Sequence, residues 1–404
     1  MEDKNIVYFS TGSKLVDMVV GGAKGVYGFP SGKFVNIVGD RSSGKTFLSN
    51  EIIASAYHRY GNKKFKWAYD DCESGYSFDT EAMYGFDIMG NNPPHSTTVE
   101  EAFCNIKNFT DSIKDGQFGV YVLDSLDGLT SKEQDDRADE RVKAFNKGKE
   151  FDKGSYGMGK AKYLSQEFFP QLCSIIQNKN VLVIIVSQVR DNVDMFSFEK
   201  YSRAGGKAMD FYAHTVLWLA TKKKIVKKDS QGKERVVGVV CEAKTSKSKT
   251  PRPFRSCFFE LVYDYGLDDI GSCVDYLYDL RTEKGELNAD AKSVCWSDGE
   301  KLTKVALRKF MKETEVLGHT LQEWFEESKF DDAVDFLLSD DKYKAPFFER
   351  FGTRMSRDEL VAYIENNGIS EELYSKVVAK WEECEESIKS NRVKKYSSQL
   401  VSEC

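Results

Sequence analysis

The sequence predicts an α/β fold with a mostly parallel, twisted sheet, followed by a mainly helical C-terminal region. Short, largely apolar runs at 34–38, 65–69, 120–123 and 181–186 look like buried parallel strands. Segments of helical length separate them, and strands alternating with helices imply a parallel sheet covered on both sides. Beyond about residue 270 the pattern turns helical.

The run 34–38 opens this sheet. The segment 46–60 follows as a helix that places Phe47, Ile52, Ile53 and Ala56 near one face. The runs 65–69, 120–123 and 181–186 supply three further strands. Residues 131–160 are highly charged and contain glycines, which predicts a surface loop. Segments 236–242 and 256–262 predict late strands flanking a loop, so the sheet is expected to be mixed at that end. Helices are predicted at 303–315, 321–338 and 370–389, and Ser356 three residues before Glu359 marks a capping box opening another. These patterns divide the chain into 1–270 and 271–404.

The 404 residues carry 58 Lys+Arg against 64 Asp+Glu, a net charge of −6, and leave room for two or three domains. No run of 18 apolar residues occurs, which excludes a hydrophobic membrane-spanning helix. Met1-Glu2-Asp3-Lys4 lacks the basic-then-apolar start of a secretory signal. Nine Cys with no C-x-x-C pair, and four His, argue against a zinc framework or a disulfide scaffold, so a reduced, cytoplasmic chain is expected. Charge is uneven. Residues 271–404 are acidic, at net −8, whereas 222–255 hold 12 Lys+Arg against Asp229, Glu234 and Glu242. Such a stretch either binds a polyanion or forms a solvated hairpin.

The sharpest motif is Gly39-Asp40-Arg41-Ser42-Ser43-Gly44-Lys45-Thr46, which fits G-x-x-x-x-G-K-[ST] between a strand and a helix. Glycines let the backbone curl until its N–H groups converge on phosphate oxygens, and the helix adds its positive N-terminal end. Lys45 is expected to reach the β- and γ-phosphates, and the Thr46 hydroxyl to ligate Mg²⁺. Asp124, ending the run 120–123, supplies the acid such a cation site needs. Asp70, Asp71 and Glu73 follow another strand, and pattern alone does not choose among them as the group that activates water. Gln188 ends a fourth strand, where it either touches the γ-phosphate or serves as a polar cap. Downstream, Arg190, Lys200, Arg203 and Lys207 are interleaved with Phe196, Phe198 and Tyr201, with Gly205-Gly206 just before Lys207. Cations neutralise backbone phosphates, and flat rings stack on bases.

These residues resemble the RecA recombinase family, including its phage UvsX branch, in order over about residues 8–270. Phe9-Ser10-Thr11-Gly12-Ser13-Lys14-Leu15-Val16-Asp17 is similar to the family's opening stretch. The phosphate loop, Asp71-Cys72-Glu73, Val122-Leu123-Asp124-Ser125-Leu126, Ser187-Gln188-Val189-Arg190 and Lys247-Ser248-Lys249 follow. The resemblance implies a RecA-like ATPase core using ATP and Mg²⁺, with Thr46 and Asp124 at the metal and Glu73 as general base. It implies that Gln188 couples nucleotide state to a DNA loop containing Met195, Phe196, Gly205 and Gly206. Lys247 and Lys249 would reach the ATP of an adjacent subunit. Lys162 and Ser165 match DNA-contacting positions beside a first loop near 149–159. The implied function is a DNA-dependent ATPase that assembles on single-stranded DNA and promotes pairing and strand exchange with homologous duplex. Its rivals are a ring helicase or regulatory ATPase of the same fold, and a nucleotide-gated DNA-binding scaffold. Departures are also present. Only about eight residues precede the matching stretch, Phe169 occupies a basic position, and Thr80 stands near the position of the adenine-stacking aromatic. Tyr76 is a candidate substitute for that ring. Residues 131–148 form a charged insertion, and no counterpart is clear after about 315.

Overall fold

The computed structural model describes residues 6–21, 25–90, 94–148, 159–191, 201–250, 252–296, 302–314 and 330–392. The chain forms two compact units, one of residues 1–272 with 283–285, the other of 273–282 with 286–404.

In the first unit, β1 (Tyr8–Phe9) pairs with β2 (Phe29–Pro30), and α1 (Lys14–Val20) lies between them in sequence. Asp17 is buried and accepts from Thr11 N, Thr11 Oγ1 and Ser10 Oγ, which ties the opening S-T-G-S stretch together. Next come β3 (Lys33–Gly39), α2 (Lys45–Tyr60), β4 (Phe65–Asp71), α3 (Thr80–Tyr84), α4 (Val99–Ser112), β5 (Phe118–Asp124) and α5 (Lys132–Asn146). Then follow α6 (Gly159–Tyr163), a π-turn (Leu164–Phe168), α7 (Phe169–Ile176), β6 (Val181–Gln188), the short pair β7 (Arg190–Asp191) and β8 (Tyr201–Ser202), and α8 (Gly206–Tyr212). A meander of β9 (Thr215–Lys228), β10 (Glu234–Ser248), β11 (Ser256–Val262) and β12 (Gly266–Asp268) closes the unit, and the chain leaves it within α9 (Asp269–Leu277).

Among the described residues eight strands form one sheet, in the order β12-β11-β10-β9-β3-β6-β5-β4. β4, β5, β6, β3 and β9 are parallel, and β10, β11 and β12 continue antiparallel. The expected mixed end is therefore present. The register aligns Gly39 with Gln188 and Asp71 with Asp124, so the strand ends carrying the motifs share one edge. Val35, Ile37, Val120, Val122, Ile184 and Ile185 are fully buried, as strands covered on both faces require. Under the sheet, Phe34 and Phe169 stack at 5.7 Å. Phe169, which stands where a basic residue was expected, is thus a core residue.

One expectation needs correction. Residues 131–160 are not a loop throughout, since 132–146 form α5. Ser131 and Gln134 make a capping box, and Arg137 pairs with Glu133 one turn away at 2.7 Å. No residue of α5 is buried, so local pairs support it. The predicted 321–338 helix lies partly outside the described residues; its described part begins at Phe330. The basic stretch takes the solvated-hairpin form. β9 pairs β3 only over Thr215–Leu219, and β10 pairs β11 only over Gly238–Lys244. The remainder is a two-stranded, largely exposed ribbon.

Glu51 on α2 is half-buried, accepts from Leu267 N at 2.9 Å and Tyr84 Oη at 3.0 Å, and is pushed up to about 7 by desolvation, with Asp269 adding to the rise. In the unfolded chain it loses its proton near 4.5, so its stabilising contribution is full below that pH and is lost as pH rises through 7. Glu51→Gln is expected to abolish up to about 3 kcal/mol of this decline between pH 4.5 and 8. Urea unfolding of parent and variant at the two pH values measures it.

In the second unit, α10 (Lys304–Glu313) and helices Phe330–Ser339 and Asp341–Phe351 enclose Leu307, Phe310, Leu337, Phe347 and Phe351. Helices Arg357–Asn367 and Ser370–Ser387 follow, the first opened by the expected Ser356–Glu359 capping box. β13 (Val294–Cys295) pairs with β14 (Arg354–Met355). Asp275, almost fully buried, accepts from Arg281 at 2.7 Å and Arg357 at 2.9 Å, so its charge is paired.

Candidate functional site

The loop after β3 is built to be filled by something anionic. A Cβ at Gly39 would lie 2.4 Å from Ser43 Oγ and 2.5 Å from Leu219 O. Gly44 has φ +89°, and a Cβ there would lie 2.4 Å from Leu261 Cδ1. Both positions therefore need glycine. No side chain caps the N-terminus of α2 among the described residues, and its first turn carries no acid. The first-turn N–H groups and their positive end are left for a ligand. Ser43 Oγ is buried without a hydrogen-bond partner. Lys45 Nζ folds back onto Asp40 O at 2.6 Å, and burial lowers its pKa against the opposing charges of Asp124 and Glu73. Asp40, Arg41 and Ser42 are exposed or partly exposed on the same loop. A cavity of about 330 Å³ opens beside it, lined by Ser42–Phe47 together with Phe78, Val239, Leu261 and Tyr263. Tyr76 does not line it. Its hydroxyl donates to Asn50 Oδ1 at 3.0 Å and its ring meets Tyr69, so Phe47, Phe78 and Tyr263 are the rings that border the space.

Thr46 Oγ1 donates to Asp124 Oδ2 at 2.8 Å. The hydroxyl's single proton is thus directed at the acid, and its lone pairs remain for a cation. Tyr69 Oη donates to the same Asp124 oxygen at 2.6 Å. Burial raises the Asp124 pKa, and the bonds from Tyr69 and Thr46 oppose that rise. A hydroxyl and a carboxylate oxygen together are a hard-oxygen donor pair suited to Mg²⁺.

The three acids after β4 are separated by their partners. Asp70 is fully buried and accepts from Ser96 N, Ser96 Oγ and Tyr121 Oη. Asp71 accepts from Glu73 N and Tyr76 N, shaping the loop backbone. Glu73 is exposed at the strand edge and accepts from Ser125 Oγ and from Gln188 Nε2, the latter at 2.7 Å. Gln188 N in turn donates to Asp127 Oδ2 at 2.8 Å. Ser125, Asp127 and Tyr69 were not singled out from the sequence. Ser125 follows Asp124 directly and Asp127 lies three residues on, and a hydroxyl after Trp67-Ala68 was the available sign for Tyr69.

The remaining candidates are dispersed. Met195, Phe196 and Lys200 lie outside the described residues, as does most of the first loop, 149–158. Arg190 lies on β7. Lys162 is exposed on α6, and Ser165 Oγ donates to Lys162 O at 3.0 Å. The Arg203 guanidinium is buried in an ion pair with Asp210 and lies 5.6 Å over the Trp218 ring. Gly205 and Gly206 have φ +83° and +45° and lead into α8. Lys247 Nζ donates to the carbonyls of Asp210, Phe211 and Ala213, and Lys249 Nζ to Tyr212 O at 3.4 Å. Both lysines thus cap the C-terminal end of α8. Lys247 pairs with Val216, at the start of the β3–β9 ladder, while the phosphate loop follows its end at Gly39 and Leu219. Three strand residues separate these levels, roughly 10 Å, so Lys247 does not serve the phosphate loop of its own chain.

Residues 1–268 match the family model described as the RecA N-terminal domain. Protein RecA of Phytoplasma mali (strain AT) is 28% identical over 282 residues, covering 70% of this chain and 75% of that one. Protein RecA of Anaplasma marginale (strain Florida) is 29% identical over 266 residues, 66% of each chain. Among solved structures, the RadB recombinase aligns with 18% identity and TM-score 0.42, over 64% of this chain and 98% of that one. With the family model covering the whole first unit up to β12, the chain belongs to the RecA family.

Proposed function

We propose that this protein is an ATP-hydrolysing recombinase that assembles on single-stranded DNA, as a filament or ring, and pairs it with homologous duplex. One contact carries the reading: the carboxylate of Glu73 is held by Gln188, whose strand runs directly into the segment 190–206. A group placed to activate water and the root of a basic, glycine-bearing segment therefore share a hydrogen bond. Lys45, Gly44 and the first turn of α2 bind the phosphates of ATP, and Glu73, aligned by Ser125 and Gln188, takes the proton of the attacking water. Thr46 and Asp124 would hold Mg²⁺, which when bound neutralises phosphate charge. The placement of Lys247 and Lys249 supports completion of the site by a second copy. Phe169, Thr80 and the charged insertion 131–148, as departures within the matched stretch, favour a viral or plasmid-borne member.

The test is ATP turnover with and without single-stranded DNA, beside exchange of a labelled strand into homologous duplex. Turnover is expected to rise well above its basal rate with DNA, and exchange to require ATP. Turnover indifferent to DNA, with no exchange, would reject the reading in favour of another ATPase of the same fold.

A further inference from the structure

We propose that Tyr69 is a positioning residue for the cation site: its hydroxyl fixes the carboxylate of Asp124 in the orientation that, with Thr46, accepts Mg²⁺. This rests on the ATP and Mg²⁺ reading above. Tyr69 lies on β4 opposite Val122, two residues before Asp124 on β5. Side chains two apart on a strand share a face, so the ring runs along that face and its hydroxyl meets Asp124 Oδ2 at 2.6 Å. The ring is itself held from outside. Tyr76 packs edge-on against it at 4.9 Å, and the Tyr76 hydroxyl is anchored 3.0 Å from Asn50 on α2, the helix that also carries Thr46.

Two donors, from Thr46 and Tyr69, converge on Oδ2, and Oδ1 accepts from no donor among the described residues. A carboxylate pinned through one oxygen keeps the other aimed. With Thr46 alone it could swing about that single bond. Phenylalanine would fill the same volume, so packing does not account for the hydroxyl. Groups that orient a metal's ligands set its affinity, and their loss costs roughly 10–100-fold in binding.

Tyr121 provides the control. It is equally buried, sits on the neighbouring strand, and donates its hydroxyl to Asp70 Oδ2 at the same 2.6 Å, away from Asp124. The experiment titrates Mg²⁺ against binding of a fluorescent ADP, and separately against turnover, in the parent chain, Tyr69→Phe and Tyr121→Phe. Tyr69→Phe is expected to raise the half-saturating Mg²⁺ concentration about tenfold, with nucleotide binding and turnover at saturating Mg²⁺ within about twofold of the parent. Tyr121→Phe is expected to leave the requirement unchanged. An unchanged requirement in Tyr69→Phe, or an equal rise in both variants, would overturn the proposal. Incorporating 4-aminophenylalanine at position 69 returns a weaker donor to the same place, and its requirement is expected to fall between parent and Tyr69→Phe. It carries the test if Tyr69→Phe does not fold, and a value equal to the parent's then overturns the proposal. Nucleotide binding indifferent to Mg²⁺ in the parent chain itself would overturn the nucleotide reading, and this role with it.

Discussion

Glu73→Gln is expected to bind ATP as tightly as the parent and to hydrolyse it about 10³-fold more slowly, in the range attributed to a lost general base. The amide preserves the acceptor oxygen for Ser125 Oγ and Gln188 Nε2, so the hydrogen-bonded geometry at the strand edge survives. It cannot take a proton. Asp71 does not substitute, because its two oxygens are occupied by the N–H groups of Glu73 and Tyr76. Asp70 is fully buried beneath Ser96 and Tyr121. Single-turnover hydrolysis beside equilibrium binding of a fluorescent ATP separates the two effects. Normal turnover in the variant would remove Glu73 from the mechanism and leave the phosphate loop untouched.

Lys45→Ala is expected to act earlier, on the phosphates themselves. The ammonium is the cation that follows Gly44 on the loop, and its present acceptor is the carbonyl of Asp40, a neutral group that a phosphate oxygen readily replaces. Removing it withdraws a charge-assisted donor from a partly buried site, where the loss is larger than in water. Turnover is expected to fall by at least about 10²–10³-fold, with weaker nucleotide binding. The fold is expected to persist, since α2 remains anchored by Phe47, Leu48, Ile52 and Ile53. Equal nucleotide affinity in parent and variant would contradict the assignment.

The parallel strands were legible in the sequence because buried strands are rich in apolar residues: β5 and β6 contain continuous apolar runs, and in β3 and β4 only Asn36 and Lys66 interrupt them. β9 was not read as a strand of the sheet: its apolar part, Thr215–Leu219, is short, and the rest is lysine-rich ribbon. α5 was missed because its residues are mostly charged and its few apolar ones, Val142 and Phe145 among them, stay exposed, although Ser131 three residues before Gln134 was a readable capping signal. At the site, spacing located the loop, the metal acid and a group of three carboxylates. It left open which of the three was free, because that depends on which oxygens the folded backbone and Ser96 engage. Arg203 looked available for the same reason. Its partners Asp210 and Trp218 come to it only through folding.

The two lysines at the end of β10 have a consequence for how copies of this protein would communicate. In a lone protomer the ammonium of Lys247 ties off three carbonyls at the end of a helix only seven residues long, whose first residue is Gly206. One ammonium cannot serve three carbonyls and a neighbour's triphosphate at once. On the proposed reading, engagement across a seam would therefore loosen the far end of the helix that begins at Gly206. News of a neighbour's nucleotide would arrive as a withdrawn restraint, with no lever or rigid rotation needed.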